Sequence, residues 1–182
     1  MKKLVLAASL VAVFGMTGMA QAASTGTISF EGELTATSCD VNVDGQGTDA
    51  TIKLPTAGIN QLTTAGQTAH RTGFNMALTN CAGTLKTVSA FFEAGPTVDL
   101  VSGRLKNSSG TATNVSLQLL DASSPTYAAI KAGSGNQASD TTYVAYDASG
   151  NANLPYAVQY YAEGATTAGT VKSSVVYSLQ YK

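Results

Sequence analysis

Gly26-Thr27-Ile28-Ser29-Phe30-Glu31-Gly32-Glu33-Leu34, near one end of the chain, and Val175-Val176-Tyr177-Ser178-Leu179-Gln180-Tyr181-Lys182, at the other, both alternate apolar and polar residues. A period of two puts Ile28, Phe30, Gly32 and Leu34 on one face of a strand. It puts Val175, Tyr177, Leu179 and Tyr181 on one face of another. The ends of globular domains more often fray. Here both are written as core-forming strands, a pattern that suits strand exchange between chains.

The same period recurs between these ends. Phe74-Met76-Leu78, Val88-Ala90-Phe92, Val115-Leu117-Leu119 and Tyr156-Val158-Tyr160 each place apolar side chains two apart. Turn-rich stretches separate them: Asp44-Gly45-Gln46-Gly47, Asn107-Ser108-Ser109-Gly110, Gly133-Ser134-Gly135-Asn136 and Asp147-Ala148-Ser149-Gly150-Asn151. Many short strands with polar turns predict an all-β sandwich. A short helical turn is expected near 54–62 or 125–131.

Met1-Lys2-Lys3, an apolar run from Leu4 to about Ala20, and Ala20-Gln21-Ala22 read as a secretory signal peptide with cleavage after Ala22. The expected division is therefore a signal peptide at 1–22, an amino-terminal extension at 23–35 and one domain at 36–182. Without Lys2 and Lys3, eight of the ten basic residues remain against eleven acidic ones, a net charge of −3. No basic stripe is present, which argues against nucleic acid as a partner. A mature chain of this length buries roughly 70% of its unfolded surface as a single domain. Two cysteines, Cys39 and Cys81, are an even count in an exported chain and favour a disulfide over a metal or catalytic role. The bridge closes a loop of about 42 residues, worth about 4 kcal/mol on the chain-entropy account.

Five segments in order carry a resemblance. They are Gly26 to Leu34 with Cys39 five residues on; Phe74-Asn75-Met76-Ala77-Leu78-Thr79-Asn80-Cys81; Ala112 to Asp121; Leu154-Pro155-Tyr156-Ala157-Val158-Gln159-Tyr160-Tyr161-Ala162-Glu163-Gly164; and the last residues, with Gly169 and Tyr181. With the cysteine placement and the signal peptide, the chain resembles the major structural subunits of chaperone–usher fimbriae, of the type 1 pilin family. The resemblance implies an incomplete immunoglobulin-like β-sandwich lacking its last strand, completed by the donor strand of a neighbouring subunit. It implies a structural subunit that polymerises by donor-strand exchange into a surface fimbria used in adhesion and biofilm formation.

The partners so implied are neighbouring copies of the same pilin, a periplasmic chaperone that first lends a strand, and an outer-membrane usher. Export runs through the periplasm to an extracellular fimbrium. Carried over by position, the donor strand is roughly Thr25–Thr35 with Ile28, Phe30, Gly32 and Leu34. The groove edge and chaperone-recognition residues are Gly169, Val175, Tyr177, Leu179 and Tyr181. Glycine inside a strand marks a bulge or a close backbone approach. At Gly32 the resemblance implies a shallow pocket that admits no side chain.

Other readings fare worse. Asp40-Val41-Asn42-Val43-Asp44-Gly45 copies half a calcium loop, but Thr51 stands where a bidentate Glu is needed, so a polar turn is expected and no metal. His70, the one histidine, sits beside Arg71 at a solvated strand start, and no nucleophile-elbow pattern occurs. The chain therefore reads as no enzyme and as needing no cofactor. Tyr156, Tyr160 and Tyr161 fit a core strand, with one or two facing out, better than a sugar-binding face. A minor or adaptor pilin, or an autonomous exported carbohydrate-binding β-sandwich, remains the alternative. A membrane β-barrel has no cause for a long-range disulfide.

Overall fold

The computed structural model describes residues 26–32, 34 and 36–182. The signal-peptide reading of 1–22 falls outside the described residues, as do the first residues of the extension, Glu33 and Thr35. The chain divides into one unit ending at residue 33 and a second spanning Leu34–Lys182. In the first, residues 26–32 are exposed and form no helix or strand, with Ile28 79% and Phe30 89% exposed. The sequence reads a strand there. Strand assignment requires a hydrogen-bonded neighbour, and alternation alone supplies none.

The second unit is the β-sandwich that the alternating runs predict. Its strands are β1 (Ser38–Val43), β2 (Thr68–Ala82), β3 (Thr87–Phe92), β4 (Leu105–Lys106), β5 (Val115–Asp121), β6 (Ala128–Ile130), β7 (Val144–Ala145), β8 (Ala152–Ala162) and β9 (Tyr177–Tyr181). One sheet runs β1-β2-β8-β5-β4, with β6 also on β5, and the other runs β7-β3-β9. All pairings are antiparallel, so one face of each sheet packs inward and the period of two follows. A 3-10 turn at Ile59–Gln61 fulfils the first helical expectation. The second fails. Residues 125–131 supply β6, whose Leu119↔Ile130 register on β5 overrides local preference.

Met76, Leu78, Leu117, Leu119, Leu154 and Val158 from the large sheet meet Val88, Ala90 and Phe92 from the small one, all buried. Tyr156 spans the two layers. Its ring takes Phe92 edge-on at 5.2 Å, and its hydroxyl accepts the Ala90 N–H at 2.8 Å. Burial raises the Tyr156 pKa above the ordinary tyrosine value, against the lowering effect of Ser89 and the Ala90 N–H. A buried phenol stays neutral and keeps its hydrogen bond. Cys39 on β1 is bonded to Cys81 on β2, so the disulfide joins two paired strands across a sequence separation of 42.

Candidate functional site

The small sheet treats its two sides differently. β7 covers only Thr87 and Val88 on one side of β3, yet the rest of that side is satisfied. Ala90 N–H is taken by Tyr156. Beyond it, the buried Gln137 side chain accepts from Phe92 N–H at 2.9 Å and donates to Phe92 C=O at 3.0 Å. One amide thus pairs with β3 as a peptide group would. Gln137 is held by the short helix α1 (Gln137–Asp140), whose last turn is tied down by Thr141 donating to Gln137 C=O at 2.6 Å. On the opposite side of the sheet lies β9. It pairs with β3 in the register Tyr177↔Phe92, Leu179↔Ala90 and Tyr181↔Val88. No described strand pairs with its second edge.

Beside that open edge the sandwich is split. A cleft of about 420 Å³ runs between the segment after β1 (Thr48–Leu54) and the approach to β9 (Ser173–Tyr177). Its floor is core: Met76, Phe92, Leu105, Leu117, Leu119 and Val158. A second cleft of about 540 Å³ lies between residues 56–62 and 166–172, over Leu62, Val115 and Tyr160. The two walls are the same two chain segments running in opposite directions, so the clefts form successive stretches of one trough. Sheet edges exposed over an apolar floor invite a further strand.

The expected residues fall as follows. Val175 and Tyr177 line the first cleft, and Gly169 lines the second. A Cβ at Gly169 would overlap Thr111 and the Ala112 N–H, so close backbone packing holds this wall in place. Leu179 and Tyr181 continue along β9, half-buried against the core. Burial raises the Tyr181 pKa, opposed by a hydrogen bond with the Cys39 backbone that links β9 to β1. Strand β9 begins at Tyr177, two residues later than the alternation suggests, although Glu93 N–H still reaches Val176 C=O at 2.8 Å. Leu34 is 102% exposed, and a Cβ at Gly32 meets nothing within 4 Å.

The opposite wall, Thr48–Leu62, enters the sequence-based expectation only as a short helical turn near 54–62, not as a side of the groove. Only Ile52-Lys53-Leu54, a single alternation before Pro55, hints at it. Tyr177 donates its hydroxyl proton to Thr48 C=O at 2.9 Å and so bridges the two walls. Away from the trough, Arg104 makes a bidentate ion pair with Glu163 at 2.7 and 2.9 Å while stacking over the Tyr161 ring at 4.0 Å. Tyr161 is thus the outward-facing tyrosine of β8.

Residues 54–182 match the family described as FimA, type-1 fimbrial protein A. The chain is 41% identical over 165 residues to the major fimbrial subunit SMF-1 of Stenotrophomonas maltophilia strain K279a, covering 90% of this chain and 96% of that protein. It is 35% identical over 162 residues to the F17 fimbrial protein of Escherichia coli, covering 86% and 87%. Among solved structures it is similar in fold to the P pilus rod subunit PapA, with a TM-score of 0.59 at 18% identity over 79% of this chain and 99% of that one. A chaperone–usher pilus solved in connection with rod uncoiling gives 0.57 at 19% identity, covering 88% and 97%.

Proposed function

The chain belongs to the type-1 fimbrial protein family, and on that premise we propose that it polymerises by donor-strand exchange, residues 25–35 of one copy filling the trough beside β9 of the next. It is a structural subunit of surface fimbriae and not an enzyme. Ile28, Phe30, Gly32 and Leu34 form the inward face of the donor strand in this reading. Gly169, Val175, Tyr177, Leu179 and Tyr181 form the edge that receives it. Before assembly, a periplasmic chaperone lends a strand to the same edge, and an outer-membrane usher presides over the replacement. The reading carries with it the division into a signal peptide at 1–22, an extension at 23–35 and a pilin domain at 36–182. Adhesion and biofilm formation are the uses proposed for the finished fibre.

The observation that carries the proposal is the pairing of a surplus with a deficit. Ile28, Phe30 and Leu34 are largely exposed, while an apolar trough runs beside a strand edge that no described strand pairs. Burying those three side chains contributes about 5–9 kcal/mol, at about 1.5–3 each. Each backbone hydrogen bond adds about 0.5–1.5 kcal/mol. Gly32 fits the same picture, because nothing in its own surroundings requires a glycine. The testing experiment is thermal unfolding of residues 36–182 with and without a synthetic peptide of residues 25–35. A large rise in Tm with peptide is expected. A domain already stable and indifferent to the peptide would sink the proposal.

A further inference from the structure

The hairpin joining Val98 to Leu105 carries Leu100 and Val101 at its tip, 68% and 88% exposed. A Leu100 methyl lies beside Gly133, Val101 projects further, and the loop that carries both is closely hydrogen-bonded. Asp99 accepts from Val101 N–H at 3.1 Å and from the Ser102 hydroxyl at 2.6 Å. Its own N–H reaches Arg104 C=O at 2.9 Å, and its carbonyl takes Gly103 N–H at 2.7 Å. Behind the tip, Gly103 (φ +73°) lies so close to Lys131 that a Cβ would overlap its backbone, and Gly103 C=O accepts from Ala132 N–H at 3.1 Å. These contacts brace the loop with its apolar tip outward. Exposed apolar groups on a rigid mount mark a contact surface.

The geometry points to a second copy of this chain as the occupant: within the fibre, the Leu100–Val101 tip packs on the body of another subunit, outside the strand-exchange trough. This rests on the polymerisation reading above. In a head-to-tail polymer every copy meets neighbours of identical sequence, so one apolar knob repeats along the whole fibre. The tip is also continuous with the proposed interface without belonging to it. Leu105, at the hairpin base, lies in the trough floor, and the Thr97 hydroxyl donates to Ser174 C=O on its wall at 2.5 Å. Residues 99–103 themselves do not line the trough, so an incoming donor strand leaves the tip uncovered.

The test uses fibres assembled from the full chain with the photoreactive residue p-benzoylphenylalanine at position 101, and separately at position 100. Irradiation followed by dissociation in hot denaturant should give a covalent band of two copies, with the attachment point mapping within residues 36–182 of the second. An adduct mapping to residues 25–35, an adduct with a different protein, or no adduct in fibres that form normally would overturn the inference. Failure of the underlying reading is separately visible. The unmodified, unirradiated chain would then give no detergent-resistant ladder. As a second variant, Leu100→Asp/Val101→Asp should keep that ladder while the fibres lose their wild-type diameter and stiffness in electron micrographs. Fibres unchanged in both respects would also overturn it.

Discussion

Tyr177 on β9 and Thr48 beyond β1 are joined across the mouth of the trough by a 2.9 Å hydrogen bond from phenol to carbonyl. The two residues lie 129 apart in sequence, on opposite walls. In the single chain the bond therefore draws together the two walls between which, on the proposed reading, a donor strand inserts. Tyr177→Phe removes it and leaves the ring. The strand-free subunit should lose about 0.5–1.5 kcal/mol, and a peptide of residues 25–35 should bind faster. Stopped-flow fluorescence with a labelled peptide checks this, and an unchanged or slower association rate would count against the bridge as a barrier.

Gly32→Trp should separate folding from assembly. Open space surrounds the position in the single chain, so the variant should unfold at the parent temperature. On the donor-strand reading, Gly32 faces a shallow pocket that admits no side chain, and the indole should be excluded from it. Detergent-resistant ladders should vanish while the monomer remains soluble. Normal polymerisation by the variant would show that the donor segment is misplaced.

Acid should weaken the subunit partly through Glu163. Burial raises its pKa, but the hydrogen bonds donated by Arg104 and Ser116 outweigh this and leave the carboxyl below its ordinary value of 4.5. A folded pKa below the unfolded one stabilises above about pH 4.5 and is lost as pH falls through the folded value. Glu163→Gln should lower Tm at neutral pH and flatten its decline below about 4.5. Parallel Tm–pH curves for parent and variant would rule the carboxylate out as a contributor.

Gln137 is predicted to matter to the trough without lining it. Its amide serves the backbone of Phe92, whose ring lies in the trough floor. In Gln137→Leu, Phe92 C=O keeps the Gly133 N–H at 2.8 Å, but Phe92 N–H loses its partner. One orphaned buried donor costs about 1–3 kcal/mol, or about 2–4 °C in Tm per kcal/mol for a chain of this size. Urea denaturation of variant and parent measures it. Peptide binding should weaken as well, since the floor loosens. Full stability in the variant would mean that water replaces the amide.

Several features are legible in the sequence alone. Met76 and Leu78, Val88 and Ala90, and Leu117 and Leu119 all point inward as a period of two requires, because alternation is a local property of an extended chain. The cysteine pairing follows from count and compartment. Other features were hidden. Residues 125–131 look locally helical, but strand pairing with β5 decides their state. Apart from the 3-10 turn at Ile59–Gln61, the Thr48–Leu62 wall is coil, and so it has no regular face to advertise.

By itself, then, the sequence determined which residues seek a core, and that the segment at 26–34 seeks one as much as Val175–Tyr181 does. Only the tertiary structure decided where apolar surface goes unpaired. It sealed one side of β3 with Tyr156 and Gln137, left the second edge of β9 without a partner strand among the described residues, and ran the trough between Thr48–Leu62 and residues 166–177. The physical reason is range. Alternation is fixed by neighbours two residues apart, whereas a missing strand is a property of the whole sandwich, defined by which hydrogen-bonding edges remain after every other strand has found its partner.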